Sequence, residues 1–229
     1  VLIAGCGSGH QVAVELRTYA NCDFVALDCS PGTLAYAKRK LRAALSEEQF
    51  QRLRFVVGDI MQLGPTSPIA CSGGFDLIIC CGVLHHLTRP VEGLSRLASM
   101  LAPDGLLQLA TYSRVSVESW RGTIMNWLRL ADASRHLYDE NGCALRAPTP
   151  EEIRAVRRQV LQLPPGHEVR DLLVHFREFF TYAGILDLLF HPLETTYTLA
   201  EMRDELLATA GLRPVAVFFA DVNTDLAAR

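Results

Sequence analysis

Short apolar runs alternate with amphipathic stretches along the first half of the chain. The runs are typical of buried parallel strands, and they lie at Val1–Ala4, Phe24–Leu27, Leu53–Val57, Phe75–Cys81 and Leu106–Thr111. Between them, apolar residues recur at helical spacing, which predicts helices over His10–Ala20, Pro31–Leu45 and Pro90–Leu101. Pro103-Asp104-Gly105 predicts a turn before the fifth run. This alternation predicts a parallel sheet with helices on both faces.

The alternation stops after Tyr112. Residues 113–195 have the pattern of helices and loops, which predicts a helical insertion after the fifth strand. A last helix over Leu199–Ala210 and a sixth strand over Arg213–Phe219 are predicted within 196–229. We therefore expect one domain over 1–229, built from a core (1–112), an insertion (113–195) and a return to the core (196–229). Because the chain opens inside an apolar run and not at Met, we expect it to belong to a longer protein.

Composition and charge narrow the possible functions. The 229 residues are 49% hydrophobic and 21% charged, a balance that excludes a disordered chain. The net charge of −3 gives no general attraction to nucleic acid or to an anionic membrane. The longest apolar stretch, about Leu77–Leu84, is far shorter than the roughly 20 residues of a membrane span. The 7 cysteines form no C-x-x-C pair and no secretory signal precedes them, so we expect a cytoplasmic protein.

A glycine-rich segment, Gly5-Cys6-Gly7-Ser8-Gly9, separates the first predicted strand from the first predicted helix. Glycines permit positive φ and let a ligand approach the backbone, and the helix behind them presents free N–H groups. A nicotinamide-binding turn would place its third glycine where His10 stands, and a phosphate-binding loop would need a lysine. The G-x-G-x-G pattern of this segment favours a ligand that packs a carboxylate and an adenosine against the turn. A purely structural turn and a nicotinamide site are the alternatives.

Two acidic residues follow the second and third predicted strands. Asp28 can accept hydrogen bonds from both ribose hydroxyls of a nucleoside, each worth roughly 1.5–3 kcal/mol when the acceptor is charged. Asp59 can accept from an adenine amino group, and Ile60 can cover the ring. Because parallel strands end at the same edge of a sheet, these residues are expected to converge on the glycine turn. The alternative interpretations are structural: Asp28 is then an acidic residue beside a helix start, and Asp59 is one in a loop turn.

Two adjacent histidines, His85 and His86, follow the fourth predicted strand. A histidine with a pKa near neutrality can act as a base, but neighbours in sequence point in different directions, so one of them is expected to be structural. No carboxylate or cysteine completes a metal site with them at helical spacing, so we expect no metal site. The basic stretch Lys38–Arg42 is interpreted as a solvated helix face.

These segments together resemble the class I S-adenosylmethionine-dependent methyltransferases, and most of all the methyltransferase domains fused behind tetratricopeptide repeats. The matching segments are Ile3–Gly9, Leu34–Lys40, Gly82–Leu87 and Asp187–Pro192. The resemblance implies an α/β fold with a doubly wound, mostly parallel, Rossmann-like sheet. It also implies that a tetratricopeptide-repeat region belongs to the same full-length chain.

The resemblance implies S-adenosyl-L-methionine as cofactor and a methyl acceptor that is a small molecule or a protein. The residues implied to form the cofactor pocket are Gly5, Cys6, Gly7, Gly9, Asp28, Cys29, Asp59, Ile60, Cys81 and Gly82. The insertion is implied to cap the acceptor side, with Tyr112, Tyr182, His191 and Glu194 near the acceptor. The candidate bases are His85, His86, His191 and Tyr182. An inactive cofactor-binding or interaction module and a nicotinamide-dependent oxidoreductase are the competing hypotheses.

Overall fold

The computed structural model describes residues 1–139, 145–191 and 193–218, and these residues form two compact units. The first, here called the sheet unit, comprises 1–80, 89–109 and, of the described C-terminal residues, 199–218. The second, the helical unit, comprises 81–88 and 110–198. The helical unit thus includes the whole of the predicted insertion 113–195, together with the segment that carries His85 and His86. Pro192, in one of the segments that carry the resemblance, lies outside the described residues.

A five-stranded sheet in the order β3-β2-β1-β4-β5 forms the centre of the sheet unit. Its strands are β1 (Leu2–Ala4), β2 (Phe24–Asp28), β3 (Leu53–Val57), β4 (Phe75–Cys81) and β5 (Leu101–Ala110). The pairs β1–β2, β1–β4 and β2–β3 are parallel. Phe75 N–H donates to Met100 O and Gly82 N–H to Ala110 O, so β5 also runs parallel to β4. The predicted doubly wound, Rossmann-like α/β fold is confirmed, and its order reverses at β1, where such sheets bind ligands.

Four helices and one short helical turn flank these strands: α1 (His10–Thr18), α2 (Pro31–Ala44), α3 (Glu47–Gln51), α4 (Pro90–Ala98) and the 3₁₀ turn Ile60–Gln62. The helix α2 begins as the sequence predicts, because the Ser30 hydroxyl accepts from Thr33 N–H at 3.2 Å and Pro31 is the first helical residue. The strand β1 is buried at all three positions, as expected for a central parallel strand covered on both faces.

The helical unit is built from α5 (Arg114–Leu130), α6 (Pro150–Gln162), α7 (Glu168–Leu173) and α8 (Tyr182–Phe190), with 3₁₀ turns at Leu84–His86, Arg135–Leu137 and Arg177–Phe180. These elements have a hydrophobic core of their own, which includes Ile124, Val156, Phe179 and Leu189. The helix α6 begins with a capping box in which Thr149 and Glu152 each bond the other's backbone N–H. None of the helices within the described ranges is both long and apolar enough to cross a membrane.

Two predicted boundaries were wrong around the fifth strand. The helix α4 ends at Ala98, three residues before the predicted end, and β5 begins at Leu101, so the range of the strand includes the predicted turn Pro103–Gly105. A Cβ added at Gly105 would lie 2.6 Å from Phe75 O, which shows how closely β4 and β5 approach there. The same Cβ would lie 3.1 Å from the backbone N and O of Ala102, three residues back, so the chain bends within this range, as its turn residues predict.

The predicted sixth strand over Arg213–Phe219 is absent from the residues that the structure describes, which reach 218; Phe219 lies outside them. The helix before it, α9, starts as α-helix at Leu199–Glu201 and continues as a π-helix over Met202–Leu207. Val215 and Phe218 are 85% and 90% exposed. An apolar β-prone run becomes a strand only when it pairs with a neighbour, and within 1–139, 145–191 and 193–218 this run pairs with none.

Candidate functional site

The glycine turn follows β1 and leads into α1. Gly5 and Cys6 both donate their N–H groups to Leu27 O, at 2.8 and 2.9 Å, which fixes the turn against the end of β2. Gly9 has a φ of +85°, and a Cβ there would lie 2.9 Å from Leu41 Cδ1 of α2. A side chain at Gly9 would therefore be strained and crowded, whereas a Cβ at Gly7 would meet nothing within 4 Å. The turn is closely packed on its helix side and open at Gly7.

Asp28 connects the turn with the ends of β2 and β3. Its Oδ2 accepts from Gly7 N–H at 2.8 Å, and its Oδ1 accepts from Ser30 N–H at 2.9 Å. Its backbone O accepts from Gly58 N–H at 3.0 Å, directly after β3. The predicted convergence of the strand ends on the glycine turn is therefore observed for Asp28. Each carboxylate oxygen has a further lone pair, so the group can still accept a bond from a ligand hydroxyl.

Asp59 and Ile60 occupy the turn after β3. Asp59 is exposed, and its Oδ1 accepts from Met61 N–H at 2.9 Å, which caps the 3₁₀ turn. Ile60 is only 6% exposed, so most of its side chain packs into the core and little of it is available to a ligand ring. Both residues follow directly after Gly58, whose N–H donates to Asp28 O at the same edge of the sheet.

Two of the three cysteines of the predicted cofactor pocket, Cys6 and Cys29, differ in environment. Cys6 is buried, and burial together with the charge of Asp28 raises the pKa of its thiol to about 12. Cys29 is exposed. Because the thiolate is the reactive form, a buried thiol with a raised pKa is chemically inert. Cys6 is therefore a packing residue of the turn and no nucleophile.

We expect iodoacetamide to alkylate Cys29 and Cys71, which are both exposed, much faster than Cys6. At pH 8 a thiol with a pKa of about 12 is ionised in roughly one molecule in ten thousand. A short pulse of reagent on the folded protein, followed by peptide mass spectrometry, measures the three rates. Labelling of Cys6 as fast as Cys29 would contradict the burial of the turn, and urea should equalise the rates.

Cys81 and Gly82 close β4. Cys81 is the last residue of the strand and is partly buried, and Gly82 is exposed with a φ of +73°. The positive φ at Gly82 turns the chain away from the strand direction, which is the reason for a glycine at this position. The turn leads into the 3₁₀ segment Leu84–His86 of the helical unit.

His85 is almost completely buried, with 1% of its surface exposed. Its ring packs on Tyr112 at 4.6 Å between centroids, and neither ring nitrogen has a hydrogen-bond partner in the part of the chain that the structure describes. Burial, assisted by the neighbouring His86, lowers the pKa of His85 to about 4. His85 is therefore neutral at pH 7 and a weak base. Burial also raises the pKa of Tyr112 to about 12, so this phenol keeps its proton.

His86 lies in a charged environment instead. Its Nδ1 is 3.0 Å from Leu193 O, and its Nε2 is 3.1 Å from Asp187 Oδ1. The approach of Nε2 to Asp187 is a charge contact without good hydrogen-bond direction, because Nε2 is buried with no partner that meets hydrogen-bond geometry. Burial lowers the pKa of His86, but Asp187 and the Leu193 carbonyl outweigh it, and the pKa is raised overall. His86 lowers the pKa of Asp187 in return.

The structure brings His191 into this group and leaves Tyr182 outside it. The His191 ring stacks on His86 at 3.6 Å between centroids, and burial lowers its pKa. The Tyr182 hydroxyl donates to Pro148 O at 3.2 Å, and its ring is 45% exposed. Among the described residues, Tyr182 therefore has no place in the histidine group.

Two residues of this region were missed by sequence reasoning. Arg121 of α5 forms an ion pair with Glu194, and the two side chains are only 15% and 7% exposed. Nothing local marks Arg121, because its partner lies 73 residues away. Asp187 could have been found from the sequence, because it stands four residues before His191 at the end of α8. Residues at this spacing lie on the same face of a helix.

The fold brings together a group of residues that the expected absence of a metal site did not take into account. The expectation considered partners close in sequence to His85 and His86, and found none. Folding places Asp187 and His191 beside His86, with one potential ligand atom from each of the three within 4.8 Å of the others. The missing carboxylate is thus supplied by a distant helix.

Comparison with known proteins finds a family model that resembles the first half of the chain. Residues 2–107 match the family model described as "Methyltransferase domain". The matched region runs from β1 into β5 and contains the glycine turn, Asp28 and Asp59.

Relatives and a solved structure agree with this match. The chain is 35% identical over 115 residues to the "Uncharacterized protein syc1184_c" of Synechococcus sp., covering 50% of this chain and 26% of that protein. It is 27% identical over 174 residues to the "Uncharacterized methyltransferase Rv0089" of Mycobacterium tuberculosis, covering 76% of this chain and 81% of that protein. The fold is shared with PKMT2 from Rickettsia typhi, with a TM-score of 0.61 and 16% identity over 91% of this chain and 38% of that one.

Proposed function

We propose that this chain, whose fold and first half are those of a methyltransferase domain, takes its methyl group from S-adenosylmethionine and passes it to an acceptor that is still unidentified. The observation that carries the proposal is the contact of Asp28 with Gly7. It puts a carboxylate against an open glycine turn, at the reversal point of a parallel sheet. The family match over residues 2–107 supports a methyltransferase, and the choice of donor is our inference.

The residues present fit an adenosine joined to an amino acid. Gly7 leaves open space where a side chain would stand, so a ligand can approach the backbone there. The half-buried Asp28 offers its remaining lone pairs to two vicinal hydroxyls while it keeps Gly7 in position. The exposed Asp59 offers an acceptor to an amino group at the next strand end.

Methyl transfer makes modest demands on the protein. S-adenosylmethionine supplies a methyl group on a sulfonium, which is already an excellent leaving group. The chain's own task is then to bind the donor, hold the acceptor atom about 3 Å from the methyl carbon and exclude water. Asp28 and the glycine turn serve the first of these tasks.

We propose that the acceptor is bound by residues of the helical unit, the predicted insertion. That unit contains a groove of about 310 Å³ lined by Ala147, Ala183, Leu186, Asp187, Phe190 and His191. The lining is mostly apolar with one acid and one histidine, which suits an acceptor with an apolar body and a polar group. Tyr112 and His85 of the same unit are neutral at pH 7, and His85 is too weak a base to activate a poor nucleophile.

Isothermal titration of the protein with S-adenosylmethionine, S-adenosylhomocysteine and NADH tests the donor. We expect saturable binding of one S-adenosylmethionine or S-adenosylhomocysteine per chain, and no binding of NADH, because the third glycine of a nicotinamide turn is replaced by His10. Failure of both adenosyl ligands to bind would refute the proposal. Binding without transfer of a labelled methyl group to any tested acceptor would favour an inactive binding module.

A further inference from the structure

Two imidazoles of the helical unit are oriented by one backbone oxygen. Leu193 O lies 3.0 Å from His86 Nδ1 and 2.5 Å from His191 Nδ1. A carbonyl oxygen has two lone pairs and can accept both bonds. Leu193 N–H also lies 3.2 Å from His191 Nδ1 and donates to it in the other tautomer of this ring. When both Nδ1 atoms donate to Leu193 O, both Nε2 atoms carry a lone pair.

The second nitrogen of His86 faces a carboxylate. The rings of His86 and His191 are stacked at 3.6 Å between centroids, with 30° between their planes. His86 Nε2 is 3.1 Å from Asp187 Oδ1, and it has no well-directed hydrogen bond although it is buried. Two electron pairs at this separation repel each other unless a proton or a cation lies between them.

We propose that His86, Asp187 and His191 bind a divalent transition-metal ion through two imidazole nitrogens and one carboxylate oxygen. Potential ligand atoms of the three residues lie within 4.8 Å of one another, and tetrahedral coordination brings ligands to about 3.4 Å apart, so binding requires the two stacked rings to rotate until their nitrogens point at one ion. Imidazole with carboxylate is a ligand set for Zn²⁺, Co²⁺ or Fe²⁺, whereas Mg²⁺ and Ca²⁺ prefer oxygen ligands only.

The surroundings of the three side chains suit a bound cation. An imidazole that ligates a metal typically donates its other N–H to a carbonyl, and Leu193 O lies within hydrogen-bond distance of Nδ1 in both rings. Arg121 is paired with Glu194, and Asp187 has the His86 ring as its partner, so a bound ion would take the place of a proton between Asp187 and His86. Asp187 is 48% exposed in its side chain and, with His191, lines the groove of about 310 Å³, which gives an ion and an exchangeable fourth ligand access from solvent.

Titration of the chelator-treated, metal-free protein with Co²⁺ tests the site, because tetrahedral Co²⁺ bound to nitrogen and oxygen has visible absorption bands. We expect one Co²⁺ per chain, displaced by one Zn²⁺. Asp187→Asn, which keeps the shape of the side chain, and His191→Ala should each weaken Co²⁺ binding by roughly tenfold or more, since each removes one of three ligands. Circular dichroism confirms that each variant is folded.

His175→Ala is the matched control, because His175 belongs to the same unit but is exposed and bonds its own helix at Asp171 O. This variant should bind Co²⁺ as the unchanged protein does. The proposal is overturned if no visible bands appear, if Asp187→Asn and His191→Ala bind Co²⁺ undiminished, or if His175→Ala is the variant that loses it. Binding of S-adenosylhomocysteine to the metal-free protein is a separate measurement, so failure of either proposal leaves the other standing.

Discussion

Replacement of Arg121 by methionine is expected to lower the free energy of unfolding by about 3–5 kcal/mol, since removal of one partner of a buried ion pair leaves an uncompensated buried charge. The two side chains of this pair are 15% and 7% exposed, and the second oxygen of Glu194 is buried without a hydrogen bond. Methionine fills a similar volume, so the loss of stability arises mainly from the Glu194 carboxylate, which is left buried without a partner. Urea denaturation followed by circular dichroism gives the value.

Two controls separate charge from packing. Adding Glu194→Leu to Arg121→Met removes the stranded charge and should recover most of the stability, because an apolar pair is often as stable as a buried ion pair. Arg154→Met breaks the exposed pair of Arg154 with Glu151, whose side chains are 60% and 75% exposed, and should cost no more than about 1 kcal/mol. Equal losses for Arg121→Met and Arg154→Met would mean that burial of the first pair has no energetic consequence.

The stability loss of Arg121→Met is also expected to depend on pH. Burial raises the pKa of Glu194, and Arg121 opposes this rise, so the variant should have a still higher pKa at Glu194 in the folded state. Between the pKa of the unfolded chain and the raised pKa of the fold, the folded state binds the extra proton, so stability falls as pH rises. The variant should therefore be less destabilised near pH 5 than at pH 8.

Asp28→Ala is expected to weaken binding of S-adenosylhomocysteine by roughly tenfold or more, the effect of losing at least one charge-assisted hydrogen bond. The carboxylate would contact the ribose, and it also holds Gly7 and the start of α2 through Ser30. Its removal thus takes away a ligand contact and loosens the turn against which the ligand packs. Isothermal titration measures the dissociation constant.

Asp23→Ala is the matched control, because Asp23 is exposed just before β2, at the strand end opposite Asp28. The Asp23→Ala variant should bind S-adenosylhomocysteine with the same dissociation constant as the unchanged protein. Asp28→Asn keeps one acceptor oxygen without the charge and should give an intermediate value. If Asp28→Ala is folded and binds as tightly as Asp23→Ala, Asp28 has no part in the cofactor site.

Much of the sheet unit could be predicted because its signals are local. Five apolar runs became the five strands, and Ser30 and Pro31 marked a helix start from their own side chains. The prediction of a sixth strand was wrong for the described residues, because Val215 and Phe218 have β-prone side chains but the run pairs with no strand among those residues. Strand formation depends on a partner that the segment itself does not encode.

The two halves of the candidate site differ in the same way. The convergence of Asp28 on the glycine turn followed from topology, because parallel strands end at one edge. The group of His86, Asp187 and His191 depends on contacts across more than a hundred residues, such as the bond of His86 to Leu193, 107 positions away. The adjacent histidines are visible in the sequence. The sequence does not indicate that His85 is buried or that His86 lies beside the carboxylate of Asp187.

The orientation of both imidazoles by Leu193 O has a consequence for sequence variation among relatives. A carbonyl belongs to every amino acid, so evolution can exchange the side chain at position 193 without touching the atom that fixes the rings. The spacing is what has to persist, since an inserted or deleted residue between 191 and 193 would carry that oxygen out of reach. A search for this geometry in other genomes should therefore look for conserved loop length, and a variable column at 193 would not argue against it.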